Sequence, residues 1–223
     1  ETPILEVSSR LTVMMIKRRL RRVKDVWKVR QLKSGWAHLF QHYYGKELVS
    51  LDIETTSLDV SKAQILSIGA VVIKGNRVLS SEKLSLTLSP PKDLPKDSVK
   101  IHKLRRIDLN EGLPVAEAIE QLLKFIGNRP IVGYNIAYDL AVLDRYVRPL
   151  FDFGMPNRCV DVMDLYRKKK QLSGSVDCQI NLSFEAIAKG LDVPVLGRHT
   201  ALGDAITTAI IFVRLKSSVG LVK

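Results

Sequence analysis

Three strand-like runs follow one another with no helical pattern between them: LVSLDI (48–53), ILSIGAVVI (65–73) and VLSSEKLSLTL (78–88). Each is rich in Val, Ile and Leu. Lys74-Gly75-Asn76-Arg77 separates the second from the third, and Gly-Asn suits a tight two-residue hairpin. An antiparallel meander is therefore expected at the start of the domain. The Pro-broken stretch SPPKDLPKDS (89–98) ends it, and the pattern then alternates. Helical spacing over 115–126 precedes a short apolar strand PIVGY (130–134), and a helix is expected over 137–147. CVDVMDL (159–165) reads as a buried strand running into a helix, followed by a polar loop near 173–181. Helices over 184–191 and 202–216 complete the chain. A meander followed by alternating helices and strands implies an α/β domain with a mixed, twisted sheet. There is no internal repeat and no sign of a second core.

Charge is unevenly placed. The 223 residues hold 35 Lys+Arg against 23 Asp+Glu, a net +12. Residues 1–46 account for +8 of it, which divides the chain into a basic N-terminal extension (1–46) and a main domain (47–223) that is only mildly basic. Ile16, Leu20, Val23 and Trp27 repeat at helical spacing, while Lys17, Arg18, Arg21, Arg22, Lys24 and Lys28 cover most of the remaining surface. This segment fits a helix docked on the main domain with solvated charges. It fits equally a nucleic-acid grip, a membrane-surface helix, or a helix that binds a polymerase or other protein. The net charge favours a polyanionic partner, nucleic acid first. Two cysteines, Cys159 and Cys178, are too few for a disulfide framework and suit reduced thiols. No apolar run approaches the ~20 residues of a transmembrane segment, so a soluble, cytoplasmic protein is expected.

The first strand ends in Asp52-Ile53-Glu54, and alternation puts both carboxylates on one face. Two like charges in an apolar run repel unless a cation lies between them. Taken alone, an Asp-x-Glu is more often a solvated strand end. Asp139 stands at the start of an apolar helix, where an acid is favourable for the macrodipole alone. In RHTALGDA (198–205), His199 lies in the loop entering the last helix. Asp204 falls on that helix's apolar stripe, a costly place for an unpaired charge. Each element separately has an ordinary structural explanation.

Their combination and order are far more specific. LVSLDIETTSLD, VGYNIAYDLAVL and GRHTALGDA together resemble the DEDDh 3′–5′ exonucleases, the family typified by the proofreading epsilon subunit of bacterial DNA polymerase III. The resemblance covers about residues 47–215, and the basic N-terminal segment makes the chain similar to stand-alone epsilon-like exonucleases. SVKIHKLRRIDL (98–109) resembles the family's further His-containing segment, with His102 in the histidine position. A tyrosine replaces the histidine in a related class; none occurs in GRHTALGDA.

This resemblance implies a ribonuclease-H-like fold, a mixed β-sheet flanked by helices. It implies that Asp52, Glu54, Asp139 and Asp204 hold two divalent cations, Mg²⁺ or Mn²⁺, and that His199 is the general base. It further implies that Ile53, Thr55, Thr56, Leu58, His102 and Tyr138 line the site of the terminal nucleotide. The implied reaction releases nucleoside 5′-monophosphates from single-stranded DNA or DNA 3′ ends. RNA is an alternative substrate, as in the oligoribonuclease and ribonuclease T relatives, and a non-catalytic nucleic-acid-binding module is another reading of the charge. Two departures stand out: Tyr134 precedes Asn135 where the family often has His, and Lys103 replaces a usual Gly.

Overall fold

The structure, a computed structural model, describes residue 25 and residues 35–91, 106–174 and 180–218. The expected N-terminal helix lies outside the described residues except for Asp25, as do His102, Cys178 and most of the Pro-broken connection.

Strands β1 (Glu47–Thr55), β2 (Ile65–Lys74) and β3 (Arg77–Thr87) form the expected meander. Gly75 closes its second hairpin at φ +60°, a conformation that glycine adopts without cost, and Lys74 pairs with Arg77 across it. The short helix α1 (Arg106–Leu109) and α2 (Val115–Ile126) follow, then β4 (Ile131–Gly133), α3 (Ile136–Phe151), β5 (Cys159–Asp161), α4 (Val162–Leu172), α5 (Phe184–Gly190) and α6 (Ala201–Ser218). The sheet has five strands in the order β3-β2-β1-β4-β5; β1 pairs antiparallel with β2 and parallel with β4. Helix α3 runs four residues past the sequence-based expectation, with Pro149 inside its last turn.

Strand β1 is central and sends alternate residues into two cores. Val49, Leu51 and Ile53 join the cluster that holds the buried stripe of α2 (Ala118, Ile119, Leu122, Leu123, Ile126) and the inner face of α3. Ser50, Asp52 and Glu54 share the opposite face. On that side the second cluster gathers Val162 and Tyr166 from α4, Ile187 from α5, and Ala209, Ile211, Phe212 and Leu215 from α6. The result is a three-layer sandwich, helices on both faces of a mixed sheet.

Residues ahead of β1 are part of this packing. Leu39 is fully buried within a single 3-10 turn over Ala37–Phe40. Trp36 meets Phe151 edge-on at 5.3 Å, and Phe40 meets Phe153 at 5.4 Å. Asp25 is buried at the same corner: Arg148 reaches both its carboxylate oxygens at 3.4 and 3.3 Å, and the Gly154 amide donates to it at 3.2 Å. No helix among the described residues is long and apolar enough to cross a membrane.

Candidate active site

Helix α6 reaches the acidic end of β1 because β2 carries a glycine there. Gly69 pairs with Asp52, and a Cβ on it would lie 2.2 Å from the backbone of Ala201 and Leu202. The first turn of α6 therefore rests directly on the sheet. Ser50, fully buried on the same face, donates to the Ala205 carbonyl at 2.7 Å and fixes the contact one step along β1. This seating carries Asp204 to the Asp52–Glu54 face. Oxygen atoms of Asp52, Glu54 and Asp204 all lie within 4.8 Å of one another. The β1–β2 register shifts between Glu54 and Thr55, so the strand departs from regular pairing at the site itself.

Asp139 is placed by a different device. Asn135 precedes α3 in the left-handed region and offers no side-chain cap. Instead Asp161, at the end of β5, accepts from the Asn135 and Ile136 amides, each at 3.1 Å, and from the Met163 amide at 2.9 Å. One carboxylate thus satisfies amides at the starts of both α3 and α4. Asp139, in the first turn of α3, is buried, and its charge acts on Asp52 although it does not belong to the tight trio.

The electrostatics of this cluster are unfavourable. Burial first, then repulsion from Asp139, Asp204 and Glu54, pushes Asp52 well above the usual carboxylate range, against the pull of Arg198. Burial and the Asp204 charge raise Glu54 to about 7. Asp139 is raised chiefly by burial, and so is Asp204, despite the opposing Arg198 guanidinium. Burial raises Asp161 to about 6 even with its amide donors. Oδ1 of Asp204 is buried with no hydrogen-bond donor among the described residues. A buried acceptor without a partner is costly. An all-oxygen donor set with excess negative charge is what hard divalent cations require, so the residues fit such an ion.

His199 sits half-buried in the loop before α6 with φ +65°, a conformation rare outside glycine. Its amide donates to Asp204 Oδ2 at 3.2 Å, which ties the loop to the acid. Gly203 lets this loop tuck in, because a Cβ there would lie 2.4 Å from the carbonyls of Leu196 and Gly197. Arg198 donates to Asp204 Oδ2 from Nη1 at 2.6 Å.

Of the remaining expected residues, His102 lies outside the described residues and the others belong to the end of β1, the segment after it and the first turn of α3. The Thr55 hydroxyl and the Tyr138 hydroxyl are 2.7 Å apart, and both meet the Ser57 carbonyl. Leu58 is 86% exposed beside them. Ile53 turns its side chain into the core, leaving only its main chain toward the site. Thr56 is nearly buried, and its hydroxyl accepts from the Gln64 amide at 3.0 Å. Gly69, Ser50, Asp161 and Arg198 were not singled out from the sequence. A signal existed for two of them: Asp161 is an acid inside a buried apolar run, and Arg198 adjoins His199.

Residues 49–212 match the exonuclease family RNase_T. The chain belongs to this family. Its exonuclease domain is 26% identical over 172 residues to the DNA polymerase III subunit epsilon of Aquifex aeolicus, a match covering 75% of this chain and 79% of that protein. It is 25% identical over 166 residues to the PolC-type DNA polymerase III of Thermotoga maritima, covering 74% of this chain but only 12% of that polymerase. The chain thus spans a small part of some curated relatives and most of others. Among solved structures, Escherichia coli exonuclease I in complex with a dT13 oligonucleotide superposes with a TM-score of 0.67 at 16% identity, over 78% of this chain and 41% of that one. That likeness bears on the fold, and it agrees with the ribonuclease-H-like architecture expected from the motifs.

Proposed function

We propose that the domain hydrolyses DNA from the 3′ end, releasing nucleoside 5′-monophosphates, with Asp52, Glu54, Asp139 and Asp204 as ligands of two divalent cations, Mg²⁺ or Mn²⁺. The observation that carries this reading is the trio of carboxylates within 4.8 Å, Asp204 buried and Asp52 and Glu54 half-buried, with one Asp204 oxygen that has no partner among the described residues. Cations held there would supply Lewis-acid stabilisation of charge on the attacking and leaving oxygens.

The protein's own groups do the rest. His199 borders Asp204 through its backbone amide, and its charge acts on that carboxylate, which supports a role for its imidazole at the acidic cluster. An imidazole ring nitrogen with a free lone pair can accept the proton of the attacking water. The water oxygen forms the new bond to phosphorus, the P–O3′ bond breaks, and the departing 3′ oxygen takes a proton from solvent. Thr55, Tyr138 and the Ser57 carbonyl form a hydroxyl-rich rim for the terminal sugar, and exposed Leu58 offers an apolar surface for its base. The main chain of Ile53 lies beside them, whereas the Thr56 hydroxyl is committed to the fold. Single-stranded DNA is the favoured substrate, since the matched exonuclease I structure holds a dT13 oligonucleotide.

Incubation with a 5′-labelled oligonucleotide and Mg²⁺ or Mn²⁺ should give a descending ladder, abolished by chelation and by Asp52→Ala. An oligonucleotide left intact with both metals would overturn the reading. A matched RNA strand, degraded faster than DNA under the same conditions, would reassign the substrate while leaving the chemistry in place.

A further inference from the structure

Arg198 occupies an unusual position between two acids from different helices. Its Nη1 donates to Asp204 Oδ2 at 2.6 Å and its Nε to Glu185 Oε1 at 2.7 Å. The guanidinium also lies over the Phe184 ring, 4.6 Å from the centroid. Phe184 is buried and held edge-on by Tyr134 at 5.1 Å, whose hydroxyl donates to the Leu182 carbonyl at 3.0 Å. The plane of the guanidinium is therefore fixed by the start of α5, while one edge is applied to the site. Asp204 is almost fully covered, with its side chain 4% exposed, and Glu185 is largely open at 60%.

With Oδ2 engaged by both the Arg198 guanidinium and the His199 amide, the carboxylate of Asp204 cannot rotate without losing two hydrogen bonds. Its Oδ1 is the oxygen left without a donor among the described residues. We propose that Arg198 is a positioning residue for the cation site: a Glu185–Arg198–Asp204 relay from α5 holds Asp204 with one oxygen locked and the other presented to the metal. This rests on the cation reading above. Partners of this kind around a ligating carboxylate orient it and contribute to metal affinity. The relay needs arginine rather than lysine, because only a rigid planar fork donates to two separate carboxylates while stacked on a ring. It explains why an arginine adjoins a cation site without discharging it: its positive charge is shared with Glu185.

The test is Mn²⁺ binding to the full chain, measured by calorimetry, for the wild type, Arg198→Ala, Arg198→Lys and Glu185→Gln, beside each protein's melting temperature in chelator. Arg198→Ala should weaken Mn²⁺ binding about 10- to 100-fold. Arg198→Lys should recover little of the loss. Glu185→Gln, at an exposed position, should fold normally and weaken binding by a smaller factor, about threefold or more. Hydrolysis by Arg198→Ala should return as Mn²⁺ is raised, a shift in metal requirement that a merely structural lesion would not give. Binding by Arg198→Ala as tight as or tighter than wild type would overturn the relay, since Arg198 would then be a bystander or a competitor of the ion. If Arg198→Ala does not fold, unchanged Mn²⁺ affinity in Glu185→Gln overturns it. Failure of the wild type to bind Mn²⁺ would instead overturn the cation reading itself, and the relay with it.

Discussion

Glu54→Gln should stabilise the metal-free protein at alkaline pH while abolishing hydrolysis. The Glu54 carboxyl is raised from 4.5 to about 7, by burial first and then by the Asp204 charge, against Arg198. For an acid whose folded-state value is raised, folding favours the protonated form. The penalty is absent below pH 4.5, where the carboxyl is protonated whether the chain is folded or not; it grows as pH rises toward 7 and is complete above that. At roughly 1.4 kcal/mol per pH unit, the interval corresponds to about 3 kcal/mol. Water reaches part of this carboxylate, and screening lowers the figure to about 1–2 kcal/mol. Glutamine keeps the shape and removes the charge. For a domain of this size the gain corresponds to about 2–8 °C in melting temperature.

The assay is thermal unfolding in chelator at pH 8 and at pH 5, for wild type and Glu54→Gln. A rise at pH 8 that shrinks at pH 5 is expected, and Mn²⁺ should raise the wild type more than the variant. No gain at pH 8 would refute the account of the cluster as strained by uncompensated charge. An equal gain at both pH values would attribute it to packing instead.

His199→Ala should lower kcat on an oligonucleotide by about 10²- to 10⁴-fold while leaving Mn²⁺ affinity near wild type, as judged by calorimetry beside the nuclease assay. Gly69→Ala drives a methyl group into the backbone of Ala201 and Leu202, so α6 must shift; a loss of about 1–3 kcal/mol in denaturant unfolding is expected together with weaker Mn²⁺ binding. Asp25→Ala removes the buried partner of Arg148 and the acceptor of the Gly154 amide, and should cost about 1–3 kcal/mol in the same unfolding measurement without changing Mn²⁺ affinity.

The parts of the site legible in the sequence are those written in local periodicity. Alternation along a strand suffices to place Asp52 and Glu54 together, and Gly75-Asn76 suffices for the hairpin. Asp139 and Asp204 became informative through the order of motifs, not through any spacing that predicts their approach to β1. What escaped was long-range. Ser50 meets Ala205 across 155 residues, and Asp161 reaches back to Asn135 across 26, so neither hydrogen bond leaves a periodic trace. Gly69 reads locally as a weak point in an apolar strand, yet its missing side chain is what admits α6. Asp25, one acid amid a basic run, gave no local sign that it would be buried against Arg148.

On the proposed function, four acids stand where a phosphodiester would arrive, which is self-defeating unless cations arrive first. Asp52, Glu54 and Asp139 are all pushed up, chiefly by burial, and the Arg198 guanidinium that opposes this at Asp52 and Glu54 is divided between Asp204 and Glu185. A bound divalent ion inverts this local field. Oligonucleotide binding to the site should therefore be metal-dependent in its own right, apart from turnover. Removing two of the acids should reverse the dependence: Asp52→Asn combined with Glu54→Gln ought to bind an oligonucleotide more tightly than wild type in chelator, because less negative charge faces the phosphate. In Mg²⁺ the order should cross, with wild type gaining affinity and the variant gaining little. Fluorescence anisotropy with a labelled strand at fixed ionic strength reads both limbs, and curves that do not cross would show that the carboxylates do not face the phosphate.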